Sequence, residues 1–544
     1  MKKMYLVFIS AVISLSTMAQ AGSLQWAKCF GGSGNDSARS VANTTDGGFY
    51  VAGVTYSNDG NVTGNHNPSG NFSDVWVIKV SATGSLVWQK AFGGTHTDQA
   101  NSICATTDGG AVIAGWTNSN DGDVSGLHGA AGGAADFWVI KIDNSGSIQW
   151  QKTLGGSKND YAQSIKQTRD GGYIVAGNTY SNDSDVAGNH DNTGATADAW
   201  IVKLNSSGTI QWQKNFGGTK QDDARCVIQT SDDDFVVVGD SYSTDGDVSR
   251  GSFIPATANP DYWALKVDSV GALVWEGCMG GTNGSEAYSV VQTSTGTYFM
   301  QGYTQANDYN VSGNFGGSSG TADNWLINMT GGNMNWQNTY GGTKNEFGRS
   351  IIILRNGHMV TTGASNSNNP GTVSGQHDAS GNTFDLWTYE VKSSGYPPVS
   401  WQNAFGGTGN DGGYDLVETA DSNVVEVGYT SSTDGNVTGN HGASDFWVVK
   451  VQTATGAQST VGVDEVPAAE DFLAIYPNPA HGYTTICVND NLVGTTLELT
   501  DAVGRTISRQ QITSNRFQLQ TVGLAKGIYL VRVAESMVKK LVVE

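Results

Sequence analysis

The stretch DFWVIKIDNSGSIQWQKTLGG, residues 136–156, carries two tryptophans, two apolar segments and a closing Gly-Gly pair. Each of its tryptophans belongs to a series of seven, with a spacing close to 62 residues. A fixed period of this length is typical of folds that are built from equivalent units. The two series are Trp76, Trp138, Trp200, Trp263, Trp325, Trp387 and Trp447, and Trp26, Trp88, Trp150, Trp212, Trp275, Trp336 and Trp401.

One complete unit predicts four short antiparallel strands. The sequence Thr107-Asp108-Gly109-Gly110 is typical of a tight turn, and a polar loop at 118–135 separates the middle strands. The predicted strands are 102–106, 111–117, 136–142 and 148–154. Four strands repeated seven times predict an all-β fold, a seven-bladed β-propeller. The alternative is an array of β-sandwiches.

The first and last units are incomplete in complementary ways. Leu24–Phe30 has the pattern of a fourth strand but stands alone before the first unit, and the seventh unit ends after its third strand, Asp445–Val451. We therefore expect the N-terminal strand to complete the last blade and close the ring. An open solenoid would need distinct caps, and none is visible in the sequence. The long loop should share a face with the blade-to-blade link, and that face is the expected binding face.

Composition and charge limit the range of functions. The chain has 544 residues, of which 73 are glycine and 9 are proline, and its net charge is −21. Such a surplus of carboxylates argues against a nucleic-acid partner, because phosphate contacts need clustered Lys and Arg. Residues 1–21 have the regions of a secretory signal peptide, and we predict no transmembrane segment in the mature chain. The other predicted domains are the propeller at 22–451, a linker at 452–471 and a small C-terminal β-sandwich at 472–544.

Two acidic residues recur along the repeat. Seven copies at one position indicate a scaffold, because an active site needs only one copy, and we interpret both series as acceptors of loop hydrogen bonds. The first series precedes the third-strand tryptophan and consists of Asp74, Asp136, Asp198, Asp261, Asp323, Asp385 and Asp445. The second follows the Gly-Gly pair, in the predicted blade link, and consists of Asp36, Asp98, Asp160, Asp222, Glu346 and Asp411.

The long loop carries the most chemistry. Its pattern, Ser-Asn-Asp-Gly-Asp-Val-Ser-Gly-x-His at 119–128, alternates hard oxygen ligands around a glycine, as part of a calcium loop does. Calcium is therefore the candidate cofactor, and the alternative is a hydrogen-bonded Asx turn. The candidate calcium ligands are Asp59, Asp121, Asp123, Asp183, Asp185, Asp245, Asp247 and Asp434.

Five of the eight histidines fall in the same loop. They are candidates for contact with a carbohydrate or another ligand, and the alternative is a ring packed on a neighbouring loop. One histidine per unit makes a zinc site only if the loops converge. These candidate binding residues are His66, His128, His190, His377 and His441.

The sequence contains no recognisable catalytic constellation. A nucleophile elbow, a zinc-protease helix motif and a phosphate loop are all missing. Chemistry on a symmetric fold is expected where the repeat changes, which here means the insert Arg250–Pro260 and Glu390, which replaces a recurring lysine. Neither supplies a recognisable pair of catalytic carboxylates.

The C-terminal segment carries four motifs in order. They are Tyr476-Pro477-Asn478-Pro479, Asp501 with Gly504-Arg505, Gly527-Ile528-Tyr529, and Lys539-Lys540. In this order they resemble the type A sorting domain of type IX secretion cargo. The resemblance implies export through the periplasm and across the outer membrane, with the secretion machinery and a sortase-like peptidase as partners. The repeats resemble a family of secreted bacterial propellers, which supports the fold only.

The combined expectation is a secreted or cell-surface protein without catalytic activity. We expect a recognition or scaffold module for a glycan or a surface protein. The alternatives are a propeller-type enzyme that degrades polysaccharide and a calcium-stabilised adhesin.

Overall fold

The computed structural model describes residues 20–67, 69–191, 193–249, 259–316, 320–368, 373–378, 380–392, 398–453, 473–481, 483–488, 492–501, 505–514, 516–521, 523–533 and 537–543. The chain divides into two compact units, Met1–Gln458 and Ser459–Glu544. Most of the predicted signal peptide and linker lies outside the described residues. Within those residues, no helix has the length and apolar character needed to cross a membrane.

In its described residues, the first unit consists of seven four-stranded antiparallel sheets, which we call blades one to seven. Blades one to three are β2 Asp36–Asn43, β3 Phe49–Thr55, β4 Asp74–Val80, β5 Leu86–Phe92; β6 Asp98–Ala105, β7 Ala111–Thr117, β8 Asp136–Ile142, β9 Ile148–Leu154; and β10 Asp160–Gln167, β11 Tyr173–Thr179, β12 Asp198–Leu204, β13 Ile210–Phe216. Blades four to six are β14 Asp222–Gln229, β15 Phe235–Ser241, β16 Asp261–Val267, β17 Leu273–Met279; β18 Ser285–Gln292, β19 Tyr298–Thr304, β20 Asp323–Thr330, β21 Asn333–Tyr340; and β22 Glu346–Ile353, β23 Met359–Ser365, β24 Asp385–Val391, β25 Val399–Phe405. Blade seven is β26 Asp411–Glu418, β27 Val424–Thr430 and β28 Asp445–Val451, with β1 Leu24–Phe30 as its fourth strand.

The blades form a closed ring around an axis. The first strands contact one another in sequence, from β2 through β6, β10, β14, β18, β22 and β26, and β26 contacts β2 again. Strand β1 pairs antiparallel with β28, with Phe30 opposite Phe446. The fold is therefore a β-propeller, and the N-terminal strand closes it as the sequence predicts.

Blade two shows where the sequence pattern and the structure differ. Strands β7, β8 and β9 have the predicted bounds, but β6 begins at Asp98, four residues before the predicted start at Ser102. A β-bulge between Ala100 and Ser102 breaks the period-two alternation that marks a strand. The acidic residue that we placed in the blade link is thus the first residue of an inner strand. Gly115 on β7 allows the first residues of β6 to pack closely against it, because a Cβ at Gly115 would lie 1.8 Å from the carbonyl oxygen of Gln99.

The tryptophans of the third strands form the core of each blade. All seven are at most 2% exposed. The indole N–H of Trp138 donates to Oε1 of Gln151 on the next strand at 2.9 Å. The ring of Trp200 packs on Phe137 of the preceding blade, with 4.6 Å between centroids. Each indole can thus join its own outer strand to the neighbouring blade, and burying a side chain of this size contributes strongly to stability.

The long loops and the blade links lie together on one face. The N–H of Asp123 in the long loop of blade two donates to the carbonyl oxygen of Gly93 in the link at 2.8 Å. The N–H of Asp98 donates to the carbonyl oxygen of Ser73 at 2.7 Å, which ties the link to the previous long loop. We call this side of the ring the long-loop face.

The second unit is also built of strands. Its strand order is β32-β31-β34-β35-β29-β30-β33. The strands are β29 Leu473–His481, β30 Tyr483–Val488, β31 Thr496–Asp501, β32 Thr506–Gln511, β33 Arg516–Gln520, β34 Gly527–Val533 and β35 Met537–Val543. A single parallel pair, Ala480 with Val543, joins β29 to β35. Ile486 and Leu519 from one half share a core with Leu499 and Val531 from the other. Both units are all-β, which confirms the predicted fold class.

Candidate functional site: the axial mouth of the propeller

The repeated acidic residues hold links, loops and strands together. Asp98 accepts hydrogen bonds from the N–H of Gly94 at 2.7 Å and from Oγ of Ser119 at 2.9 Å. Asp136 accepts the N–H of His128 at 2.9 Å. Burial raises the pKa of Asp98 to about 7, and burial also raises the pKa of Asp136. These contacts give the repeated carboxylates a structural role.

The five loop histidines contact the third-strand aspartates, and three of them also reach the neighbouring blade. Nδ1 of each lies 2.6–2.8 Å from the third-strand aspartate of its own blade. Nε2 of His66, His128 and His190 lies 3.5–3.7 Å from an aspartate in the next long loop. Between 25% and 35% of each histidine side chain remains exposed. In blade five, Phe315 takes this position and gives Asp323 only its backbone N–H.

One of these histidines also borders a groove. His128, Gln151, Thr153 and Asp185 line an open cavity of about 500 Å³ between blades two and three. Ligand contact by the histidines therefore stays a prediction, limited to the exposed edge of the ring.

The candidate calcium ligands bind the blade links. Asp121 accepts hydrogen bonds from the N–H and from Oγ1 of Thr95, both at 2.8 Å. Asp123 accepts the N–H of Gly93 at 3.3 Å. Asp59, Asp183, Asp245 and Asp434 repeat the backbone bond of Asp121, and Asp185 and Asp247 repeat that of Asp123. Among the described residues, no group of three or more His, Cys, Asp or Glu is arranged to hold a metal ion. Calcium binding stays a prediction, and the hydrogen bonds to the links offer an arrangement that holds these aspartates without it.

At Glu390, the third strand supplies the acidic partner of a recurring contact and the first turn supplies the basic one. In five blades a third-strand lysine contacts an aspartate of the first turn, as Lys141 contacts Asp108 at 2.8 Å. In blade six, Oε1 of Glu390 lies 2.8 Å from Nδ1 of His358. This departure from the repeat preserves a structural contact. Most of the insert at 250–260 lies outside the described residues.

The bulge in each inner strand supplies one residue to the axis. Most neighbours of the bulge repeat from blade to blade, but the bulge residue itself changes. Together the seven side chains help to line an axial cavity of about 290 Å³. They are Arg39, Asn101, Gln163, Arg225, Tyr288, Arg349 and Tyr414, and we call them the axial ring.

Cations and aromatic rings alternate over five consecutive members of the axial ring. The Tyr288 centroid lies 4.7 Å from the guanidinium carbon of Arg225 and 4.1 Å from that of Arg349. The Tyr414 centroid lies 5.7 Å from Arg349 and 4.9 Å from Arg39. These distances are within the range of cation–π attraction.

Arg225 is neutralised by carboxylates that have no counterpart in the other blades. Its Nε donates to Asp240 at 2.7 Å, and its Nη2 donates to Glu286 at 3.1 Å. The hydroxyl of Tyr288 also donates to Glu286, at 2.8 Å. Burial raises the pKa of Asp240 to about 7, although the charge of Arg225 acts in the opposite direction. Asp223 lies opposite Asp240 in the strand pair, and burial raises its pKa as well.

Half-buried aromatic side chains surround the long-loop end of the axial ring. They are Trp116, Tyr161, Tyr303, Phe347 and Tyr429, and we call them the aromatic rim. Trp116 and Tyr161 meet edge to face with 5.4 Å between centroids, and Tyr303 and Phe347 meet at 5.0 Å. Tyr429 contacts Tyr414 of the axial ring at 5.9 Å. The axial ring and the aromatic rim together form the axial mouth.

Within the described part of the chain, the sequence-predicted site residues do not include any member of the axial ring. A signal for it exists in the motif Asp-x-Ala-x-Ser, as in Asp36 to Ser40, where the residue after alanine varies between otherwise repeated positions. A position that varies inside a repeated motif is one at which the fold does not require a particular side chain. Simple alternation gives that position no special direction, and only the bulge explains why it reaches the axis.

The structure describes part of the sorting motifs. The N–H and Nε of Arg505 donate to Asp501 at 2.8 and 3.1 Å. The Tyr529 hydroxyl donates to the carbonyl oxygen of Ala525 at 2.8 Å, and Lys539 is exposed. Pro477, Asn478 and Pro479 lie in β29, Gly527 begins β34 and Lys540 lies in β35, whereas Gly504 lies outside the described residues.

The second unit matches a known domain family. The model of the secretion system C-terminal sorting domain matches residues 474–544. The chain is cargo of a type IX secretion system. As type IX cargo it interacts with the secretion machinery and is exported to the cell surface or secreted, as the sequence motifs predict.

Other matches cover the cargo chain more widely but at low identity. Regulatory protein FlaEY of Caulobacter vibrioides is 23% identical over 198 residues, which are 35% of the cargo chain and 21% of FlaEY. PorZ of Porphyromonas gingivalis, described as an essential surface component of the type IX secretion system, matches at 12% identity and a TM-score of 0.38, over 95% of this chain and 60% of that chain. The WD40 domain of Pan2 from Neurospora crassa matches at 7% identity and a TM-score of 0.43, over 80% and 97%. The cargo chain thus spans about a fifth of FlaEY and 60% of the PorZ chain.

Proposed function

We propose that this type IX cargo is a recognition or scaffold module that binds a glycan or a surface protein at the axial mouth, on the long-loop face of the propeller. The observation that supports the proposal most is that the bulge residue, which changes from blade to blade, lines the axis, whereas most neighbours of the bulge repeat. A concave site with aromatic walls and a few polar groups is typical of ligand binding. Trp, Tyr and Arg are also the residues that most often dominate binding energy.

The chemistry of the mouth suits a polar ligand with flat apolar faces. Trp116 and Tyr161 offer large rigid surfaces whose ordering costs little conformational entropy. Asn101 and Gln163 each offer amide donors and acceptors at the axis. Sugars carry both hydroxyl groups and apolar ring faces, and a protein segment can present similar groups.

The test is a glycan array, together with a panel of surface proteins, probed with the purified chain and with the double variant Trp116→Ala/Tyr161→Ala. We expect a ligand whose affinity falls at least about tenfold in the double variant, or about 1.4 kcal/mol. The matched control is Val87→Ala, at an exposed position on the outer strand β5. No ligand for the wild-type chain, or unchanged binding in the double variant, would reject the axial mouth as the site.

The same array tests the repeated loops. If the five histidines are the ligand contacts, substituting His128 by Asn should weaken binding while the double variant of the aromatic rim should not. The axial-mouth proposal predicts the opposite pattern.

A second candidate function is cleavage of a polysaccharide. It is favoured by Asp223, Asp240 and Glu286, which stand around Arg225 in blades four and five without counterparts elsewhere. Burial raises the pKa of Asp240 while the charge of Arg225 acts in the opposite direction, and a raised pKa is what a carboxylic general acid needs. Release of reducing ends from a bound polysaccharide, and its loss in Asp240→Asn, would establish this function in place of simple recognition.

A further inference from the structure

We infer that the axial mouth binds the carboxylate of an acidic sugar between the guanidinium groups of Arg39 and Arg349. The inference rests on the proposed recognition of a glycan and names its chemical class. It concerns blades six, seven and one, on the side of the axis where the arginines lack the carboxylate partners that Arg225 has.

Two cations flank one aromatic ring at this place. The guanidinium carbons of Arg39 and Arg349 lie 4.9 and 5.7 Å from the centroid of Tyr414. Neither arginine has a carboxylate oxygen within 4.0 Å among the described residues, whereas Arg225 has two such partners. Two like charges in a half-buried channel repel each other, and the cation–π contacts offset only part of that cost. A bound anion would remove the remainder.

The Nε–H donor of Arg39 is shielded from solvent. Its Nε is buried and has no hydrogen-bond acceptor among the residues that the structure describes. A buried N–H without an acceptor costs free energy, so it favours binding of a ligand that carries an acceptor. The guanidinium fork matches the two oxygens of a carboxylate, which makes arginine well suited to this group.

Two other charged groups near the axis already have partners. Asp415, the residue after Tyr414, accepts hydrogen bonds from Oγ of Ser40 at 2.8 Å, from the N–H of Val41 at 3.0 Å and from Oγ of Ser350 at 2.9 Å. Arg225 is neutralised by Asp240 and Glu286. Lys166 also lines the cavity and has no carboxylate oxygen within 4.0 Å among the described residues, but it lies three residues beyond Gln163 on β10, further from the long-loop face. Within the axial ring, Arg39 and Arg349 are therefore the cations available to an external anion.

Charge and size favour a sugar with one acidic group over a polyanion or an acidic protein. The net charge of −21 repels polyanions at long range, so recognition must come from contact inside the mouth. The cavity that the axial ring alone lines measures about 240 Å³, below the roughly 300–1,000 Å³ of most ligand pockets. A terminal sugar fits this size, and the aromatic rim can hold the sugars that follow.

The experiment compares two oligosaccharides that differ only in the terminal residue, glucuronic acid or glucose, by titration calorimetry with the full chain. We expect the acidic sugar to bind at least tenfold more tightly. Arg39→Gln and Arg349→Gln should each remove most of that preference and leave the affinity for the neutral sugar within about threefold. Arg169→Gln, at an exposed arginine paired with Asp233, is the matched control and should keep the preference. Thermal unfolding of each variant checks that the fold is intact.

Three results would overturn the inference. One is equal affinity of the wild-type chain for both sugars, in which case recognition of a glycan would still stand. Another is that neither sugar binds, and a third is that acetate or a glutamate-rich peptide binds more tightly than the acidic sugar. Failure of the proposed function itself appears separately, as binding that is insensitive to Trp116→Ala/Tyr161→Ala.

Discussion

Phe315 in blade five shows what the other blades gain from a histidine at this position. Asp323 receives only a backbone N–H there, whereas Asp136 faces both the N–H and Nδ1 of His128. We predict that His128→Phe lowers the free energy of unfolding by about 1–2 kcal/mol, because a buried carboxylate loses a charge-assisted hydrogen bond. The measurement is urea denaturation.

The reciprocal substitution is the control for that prediction. Phe315→His should leave stability unchanged or raise it, because it offers Asp323 the missing donor. An unchanged free energy of unfolding in His128→Phe would contradict the structural role of the loop histidines.

The loop aspartates allow a test of calcium at the same scale. Because Asp121 already accepts two hydrogen bonds from Thr95, we expect a chelator to leave the melting temperature unchanged. Asp121→Ala should lower the free energy of unfolding by about 1 kcal/mol, since it releases the link. A higher melting temperature in millimolar calcium would contradict this expectation and support the calcium-stabilised adhesin.

At the scale of single residues, positions that repeat in every blade are expected to be structural, and positions that change between blades are expected to carry the binding site. The seven third-strand tryptophans and aspartates were predicted as scaffold, and they are buried in the blades. The axial ring was not predicted, because Arg39 and its equivalents reach the axis through a bulge that periodicity does not encode. Glu390 was singled out as a departure, but only the position of His358 explains it.

Strand β1 is the element on which closure of the ring depends. Phe30 is buried among Val425, Val427 and Phe446 of blade seven, as Phe92 is buried in its own blade. We predict that Phe30→Ala costs about 3–5 kcal/mol of unfolding free energy, like Phe92→Ala. Gln25→Ala, at an exposed position of β1, should cost almost nothing. A Phe30→Ala variant as stable as the wild type would show that β1 does not complete blade seven.

Elements bounded by clear turn signals were predicted well from the sequence. In blade two, three strands have the predicted bounds because turns and loops rich in Gly, Asn, Asp and Ser separate their apolar segments. The inner strand was predicted too short, because its first residues, Asp98 to Asn101, are polar or interrupted by the bulge.

The whole propeller should be most stable at mildly acidic pH. Burial raises the pKa of Asp98, Asp160 and Asp323 to about 7, from 3.8 for an ordinary aspartate. The folded state therefore binds protons that the unfolded chain has released, and the free energy of unfolding falls as pH rises from about 4 to about 7. In scanning calorimetry, the melting temperature should be higher at pH 5 than at pH 8.

Two observations check the cause of that pH dependence. Asp160→Asn should make the dependence shallower, because it removes one of the buried carboxyl groups. Below about pH 4 stability should fall again: burial raises the pKa of Asp108, but the hydrogen bonds from Lys141, Thr106 and Gly110 together outweigh it and lower the value to about 2. A melting temperature that rises from pH 5 to pH 8 would contradict the account.

The central claim concerns the whole molecule, namely that a ring of repeated blades carries one unrepeated binding site at its axis. The most direct measurement is a crystal structure of the chain with an oligosaccharide that ends in glucuronic acid. We predict the carboxylate within about 3 Å of guanidinium nitrogens of Arg39 and Arg349, with the next sugar on the aromatic rim. An oligosaccharide bound in the groove beside His128, or on the face opposite the long loops, would contradict the claim.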